Sequence, residues 1–249
     1  MLRKALRSLR RARWAQPIFE PYYRIKTNRE IKAYICEADA FLEKAKKIIH
    51  VGAHRGEERY EYDKRGLHVL WIEADPMKMS GLQENLRGFL NQRCLQGLIG
   101  SSTQALSEFH IASNDGASSS VYPFGQHKML WPEINMNKRI YLPMLSLPEL
   151  LVKENIAISD YDTLIRDVQG SELDILRGLP DSPQLFTRIQ LEASDFSLYQ
   201  GSPLKKEIDE YLSQKGYIPA EVKIFRSGGG GMKNCMNCRY IRKQKSQTD

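Results

Sequence analysis

The stretch Ile48-Ile49-His50-Val51-Gly52-Ala53-His54-Arg55-Gly56-Glu57-Glu58 sets a short apolar run against two glycines and then against charge. Glycine lets a backbone approach a ligand closely, and the N–H groups that open a following helix favour a negative group. Here the helix is expected to begin near Glu57, with Glu57 and Glu58 in its first turn, and carboxylates at that end make a pyrophosphate unwelcome. The spacing is G-x-x-x-G, not the G-x-G-x-x-G of dinucleotide folds. A second run, Val69-Leu70-Trp71-Ile72-Glu73, ends in an acid about 20 residues after the glycine loop, where a carboxylate can bind both ribose hydroxyls of an adenosine. Each feature has a plainer reading, a packing turn and a surface acid. Together, without pyrophosphate spacing, they point to S-adenosylmethionine rather than a nicotinamide dinucleotide.

The elements that must hold these residues are legible in the texture of the chain. Short apolar runs at 48–52, 68–73, 94–99, 162–168 and 185–193 read as strands. Amphipathic stretches at 56–65, 77–90, 147–155, 171–178 and 203–215 read as helices between them. Strand and helix alternating at this spacing predict a parallel sheet covered on both faces, with ligands beyond the carboxyl ends of its strands. Runs at 107–112 and 139–145 flank Ser113–His127 and read as extra strands or lid edges. After Gly216 the chain reads as two strands joined around Gly228–Gly231, an antiparallel pair at the sheet edge. No internal repeat is present.

Charge is uneven. Of 37 Lys and Arg, eleven lie in 1–13 and 232–249, where Asp249 is the single acid, so the formal charge of +7 belongs to the ends and the body is slightly acidic. That argues against a nucleic-acid groove across the domain. Leu2, Leu6 and Leu9 stand at helical spacing among arginines, a basic amphipathic helix of the kind found on anionic membranes, and equally a solvated arm. Residues 28–46 carry a second helical stripe. The expected division is therefore 1–46, two accessory helices, and 47–249, the catalytic domain. No apolar run approaches the ~18–20 residues of a membrane span and no secretory signal is evident. Four scattered cysteines suggest a reducing compartment, so the expected location is cytoplasmic, with peripheral membrane contact through 2–14.

Five blocks, "IIHVGAHRGEE", "VLWIEADPMKMSGLQENL", "SNDGASSSV", "LIRDVQGSELDILRGL" and "IQLEAS", occur in the order of the FkbM-type methyltransferases, which this chain resembles over about residues 47–217. The resemblance implies a class I methyltransferase (Rossmann-like) fold, a seven-stranded mostly parallel sheet with helices on both faces. It also implies S-adenosylmethionine as donor and, usually, O-methylation of a hydroxyl on a sugar, glycolipid or other natural product. By position, Gly52, Ala53, His54 and Gly56 match the donor loop and Glu73 the ribose acid, with Val51, Ala74 and Gly97 counted among donor contacts. Asn114 and Ser118–Ser120 match a block beside the site, Asp167, Gly170 and Glu172 the fourth-strand block, and Glu192 the fifth-strand acid. Three positions depart from the pattern. His50 stands where Asp is usual, which bears on donor affinity; Arg166 replaces lysine; Gln169 replaces glutamate and removes a carboxylate.

Methyl transfer to a hydroxyl needs in-line positioning and a base for the hydroxyl proton. Asp167 is the first candidate base, with His54 and Glu192 next; Asp167 could instead cap the helix that follows. Asp167 and Glu192 could also share a divalent cation, since hard oxygen ligands suit one. Glu172 is expected to pair with Arg166 inside the protein. Cys235-x-x-Cys238 lacks the second pair a structural zinc needs, and reads as two ordinary thiols. An RNA methyltransferase using the basic tails, or a binding module that has lost the reaction, remain the alternatives; the oligomeric state is not legible. For the amphipathic helix the expected outcome is that deleting residues 1–14 abolishes sedimentation with anionic liposomes. Equal binding with and without them defeats the membrane reading.

Overall fold

The computed structural model describes residues 41–181, 185–228 and 233–243. The helix expected at 2–14, and all but the last residues of that at 28–46, lie outside the described residues.

The chain alternates β1 (Lys47–Val51), α1 (Arg59–Lys64), β2 (His68–Glu73), α2 (Pro76–Asn85) and β3 (Gln92–Gln96). Then come β4 (Leu98–Gly100), β5 (Gln104–Ala112), α3 (His127–Leu130), β6 (Met136–Ser146) and α4 (Leu147–Lys153). The remainder is β7 (Thr163–Arg166), α5 (Glu172–Arg177), β8 (Arg188–Ser194), α6 (Lys205–Gln214), β9 (Tyr217–Ser227) and β10 (Asn234–Arg242). Seven strands form one sheet in the order β3-β2-β1-β7-β8-β10-β9, parallel except for β10, which runs antiparallel to both neighbours. This is the class I methyltransferase arrangement, with the C-terminal hairpin at one edge.

Burial explains the central strands. β1 lies between two parallel strands, and Ile48, Ile49, Val51, Leu70, Ile72 and Leu164 are all at most 3 % exposed. A strand covered on both faces needs apolar side chains throughout, not alternation. Helix starts follow ordinary capping. Asp75 accepts from the Met77 N–H at 2.9 Å with Pro76 behind it, and Ser146 and Glu149 form a reciprocal capping box. No described helix is long and apolar enough to cross a membrane.

Three expectations need correcting. The run 94–99 is not one strand. Gly97 donates its N–H to the Glu73 carbonyl at 2.9 Å, and the chain then leaves the main sheet as β4 for a separate three-stranded sheet, β4-β6-β5. That sheet absorbs the runs read as extra strands. The first helix begins at Arg59, so Glu57 lies outside it and Glu58 is its N-cap. Arg166, 1 % exposed, donates to the Glu172 carbonyl oxygen, not to its carboxylate, which instead accepts from the Gly170 N–H.

Main sheet and small sheet are tied where α5 ends. A β-carbon at Gly178 would stand 2.6 Å from the Gly100 carbonyl oxygen and 3.0 Å from that of Ser101, both backbone atoms with no room to yield. Gly178→Ala is expected to destabilise the fold by about 1–3 kcal/mol, read as a lower urea midpoint with unchanged slope. An unchanged midpoint would show that the junction relaxes freely.

Candidate active site

In the main sheet the chain turns one way from β1 to β2 and β3, and the other way to β7 and β8, so a crevice opens beyond the carboxyl ends of β1 and β7. Gly52 and Asp167 meet there. The Asp167 N–H donates to the Val51 carbonyl at 3.0 Å, and Gly52 donates to the Ile72 carbonyl at 2.9 Å. A β-carbon on Gly52 would lie 1.8 Å from the Asp167 carbonyl oxygen, and its φ is +84°. Only glycine satisfies both demands. A cavity of about 330 Å³ opens above this contact, within the ~300–1,000 Å³ usual for small-molecule sites.

Val51, Gly52, Ala53, His54, Glu73, Ala74, Gly97 and Asp167 all line that cavity, and Gly56 does not. Gly56 serves the turn: its φ is +68°, and a β-carbon there would press on Leu82 Cδ1 at 2.9 Å. Glu73, 7 % exposed, accepts from the His54 N–H at 2.6 Å and the Asp75 N–H at 2.8 Å, which aims its carboxylate from the end of β2. Burial pushes its pKa up while those two N–H groups pull the other way.

His50 is a core residue. Its ring stacks on Trp71 at 4.6 Å and its Nδ1 lies 3.2 Å from the Tyr62 hydroxyl. Burial pushes its pKa down to about 4, so it forms a neutral wall of the cavity where an acid would bring charge. His54 has both ring nitrogens engaged: Nδ1 with Glu57 at 2.7 Å and Nε2 with the Asp115 carbonyl at 2.9 Å. The Glu57 carboxylate holds its imidazole above the ordinary value. With both ring nitrogens held against oxygens of Glu57 and Asp115, the imidazole has no nitrogen turned to an acceptor hydroxyl, and the two carboxyls are better placed as candidate bases.

Those carboxyls are bridged by the residue that departs from the family pattern. Gln169 Nε2 lies 2.5 Å from Asp167 Oδ1 and 3.4 Å from Glu192 Oε2, while Tyr199 donates to Gln169 Oε1 at 2.6 Å. The tyrosine thus orients the amide so that its N–H₂ faces both acids. Asp167 is open to the cavity but enclosed by protein elsewhere, and this enclosure raises its carboxyl; Glu192 is raised further, by burial and then by Asp167. An amide donor between two acids is the arrangement that lets one stay ionised beside the other. Asp167 does not cap α5, whose N-cap is Ser171. Among the described residues no three His, Cys, Asp or Glu side chains gather as a metal-ligand set. Cys235 and Cys238 are both buried and unpaired, and they belong to different packing clusters.

The loop after β5 lies where the block SNDGASSSV was expected beside the site, and three further features escaped the sequence. The loop after β5 folds over the cavity, with Gly116, Ala117 and Ser119 in its lining. Asp115 clasps it to α2 through Lys78 Nζ at 2.5 Å and to the glycine loop through Arg55 Nη2 at 2.8 Å. His54, Asp115 and Gln169 have φ of +46°, +61° and +56°, so non-glycine residues in the left-handed region gather at this site. A second cavity of about 230 Å³ adjoins the first, sharing Ala117 and Gln169 and reaching Glu192, Tyr199 and His127. None of these carries a periodic or compositional signal.

Glu172, 3 % exposed, lines the second cavity, and burial pushes its carboxyl up from 4.5 to about 7. A raised acid pKa stabilises the fold fully below its unfolded value, and that contribution is lost as pH rises through the folded value. The shift corresponds to at most about 3 kcal/mol. Wild-type protein should therefore lose stability between pH 5 and 8, while Glu172→Gln keeps the bond from Gly170 and should lose less. Parallel melting curves across that range would show Glu172 to be ionised throughout.

Comparison with known proteins bears on this geometry. The Methyltransferase FkbM domain matches residues 50–219, and no curated protein matches the sequence. Among solved structures, M. capricolum TrmK with its cofactor product S-adenosylhomocysteine is similar at 8% identity, covering 87% of this chain and 71% of that one, TM-score 0.49. Magnesium protoporphyrin IX methyltransferase from Synechocystis PCC 6803 with bound S-adenosylhomocysteine is similar at 9% identity, covering 96% and 92%, TM-score 0.46. A TehB-like methyltransferase from Corynebacterium glutamicum is similar at 12% identity, covering 92% and 100%, TM-score 0.43. With the family's domain matched over residues 50–219, more than half of the chain, the chain belongs to the FkbM methyltransferases, which take the methyl group from S-adenosylmethionine.

Proposed function

We propose that the chain O-methylates a hydroxyl of a sugar, glycolipid or related natural product. The observation that carries this reading is the Asp167–Gln169–Glu192 bridge where the two cavities meet. Carboxyls held at that junction suit an acceptor that must give up a proton as it attacks, which an alcohol must do.

The first cavity fits the donor: its lining offers an oriented carboxylate at Glu73 for the ribose and a floor at Gly52 that admits no side chain. Gly52, Ala53 and the His54 turn would hold the amino-acid part, and Ala74 and Gly97 would flank the adenosine. When bound, S-adenosylmethionine supplies an electrophilic methyl group on sulfur. Everything else falls to the chain. The loop around Gly116 and Ala117 covers the cavity and limits water. Asp167 accepts the acceptor's proton. Gln169, oriented by Tyr199, keeps Asp167 ionised beside Glu192.

Transfer from methyl-labelled donor to a panel of glycosides and natural-product alcohols tests this reading. Asp167→Asn is expected to lower kcat by about 10²–10⁴-fold, with S-adenosylhomocysteine affinity within a few-fold of wild type. Because the ionised carboxylate is the active form, the rate should rise with pH through a carboxyl pKa above the ordinary Asp range. Gln169→Glu, which adds a third acid and loses the donor, should move that limb to higher pH. A fully active Asp167→Asn enzyme would remove the proposed base.

A further inference from the structure

The second cavity has a chemistry of its own. Resting on the reading that the chain methylates a hydroxyl, we propose that this cavity seats the acceptor, and that His127 and Trp131 select an uncharged, monosaccharide-sized ring over a phosphorylated or carboxylated one.

Position comes first. The cavity meets the donor cavity at Ala117 and Gln169 and has Glu192 in its wall, so a ring seated in it presents its edge to the paired carboxyls. Its volume, about 230 Å³, lies below the ~300–1,000 Å³ of sites for larger ligands. That volume suits one ring better than a nucleotide with base and phosphate.

Charge comes second. Among the described residues the lining includes no Lys or Arg, and its acids are Glu172 and Glu192. Both carboxyls are raised by burial, which favours their neutral forms. An anionic acceptor would meet two acids and no Lys or Arg side chain in the lining, whereas a neutral hydroxyl meets donors and acceptors such as Asn114, Ser118 and Ser202. Two guanidiniums lie behind the wall and are used elsewhere: buried Arg166 donates to the Glu172 carbonyl, and Arg226 lies 5.3 Å from the Trp131 ring and donates to the Leu130 carbonyl at 2.7 Å.

The wall comes third. The His127 ring lies parallel to Phe124 at 3.9 Å, with Trp131 at 4.8 Å and Tyr199 at 5.7 Å. Flat apolar faces with a few polar groups between them are the usual lining for a ring with one apolar and one hydroxylated aspect. His127 is 2 % exposed, and its Nδ1 has no hydrogen-bond partner in the structure. Burial pushes its pKa down to about 4, so it stays neutral. A buried polar atom without a partner calls for an explanation, and a ligand hydroxyl supplies one once the His127 side chain shifts enough to expose Nδ1 to the cavity.

Saturation-transfer NMR on the full chain, with excess S-adenosylhomocysteine, decides the matter using methyl α-glucoside, methyl α-rhamnoside, glucose 6-phosphate and glucuronate as probes. The neutral glycosides are expected to give signals at least about 5-fold stronger than the anionic sugars. Trp131→Leu and His127→Leu should each reduce the neutral signals at least about 3-fold, while calorimetric affinity for S-adenosylhomocysteine stays within about 2-fold of wild type. Should His127→Leu not fold, Trp131→Leu, at a half-buried position, carries the decision. Absent neutral signals, anionic signals as strong as neutral ones, or neutral signals unchanged in the variants would each overturn the proposal. Failure of the wild-type chain to bind S-adenosylhomocysteine strikes the methyltransferase reading instead, and the same glycoside comparison without it still judges the cavity.

Discussion

The contact between the Gly52 backbone and the Asp167 carbonyl is the constraint on which the site depends. Two parallel strands, β1 and β7, end side by side, and the turn after one leans directly on the turn after the other, leaving no space for even a β-carbon. That closeness puts the floor of the donor cavity and the candidate base on adjacent residues of the same pleat. It also explains why the glycine loop suits a small sulfonium-bearing ligand. The positive φ at Gly52 turns the chain across the strand end, and the helix that would greet a phosphate starts only at Arg59, with Glu58 as its N-cap.

Around that contact the protein manages charge by pairing and by exclusion. Asp167 and Glu192 are separated by an amide whose orientation a tyrosine dictates. Glu73 is steadied by two backbone N–H groups, and Asp115 by Lys78 and Arg55. His50 and His127, by contrast, are kept neutral by burial among aromatic rings. The outcome is a first cavity rimmed with paired charges and a neighbouring cavity with no Lys or Arg in its lining, whose two acids are raised by burial. Such a division suits a charged donor and an uncharged acceptor.

The small sheet makes this division possible. β5 and β6 carry the segment between them back over the main sheet, where Ser120 pairs with His110 and donates through its hydroxyl to the Gln169 carbonyl at 2.7 Å. One excursion thus roofs the first cavity and supplies Ala117 to both. Strain accompanies it, since the left-handed conformations of His54, Asp115 and Gln169 are held by these surrounding bonds rather than by their own preferences.

What the sequence determined by itself was whatever depends on near neighbours along the chain. Period and composition placed the strands and helices; glycine spacing and the acid at Glu73 named the kind of donor, because a strand, its turn and the next strand end are linked by short connections. Asp167 and Glu192 were marked by the resemblance to the FkbM blocks. Tertiary structure alone decided the rest. It broke the run at 94–99 between two sheets, because Gly97 binds the Glu73 carbonyl and leaves. It engaged both nitrogens of His54 with Glu57 and Asp115, and it moved Arg166 onto a carbonyl. Gln169 became a bridge only when Tyr199, thirty residues on, came within reach of its oxygen. Those outcomes rest on contacts between residues distant in sequence, and no local pattern encodes which distant groups will share a hydrogen bond.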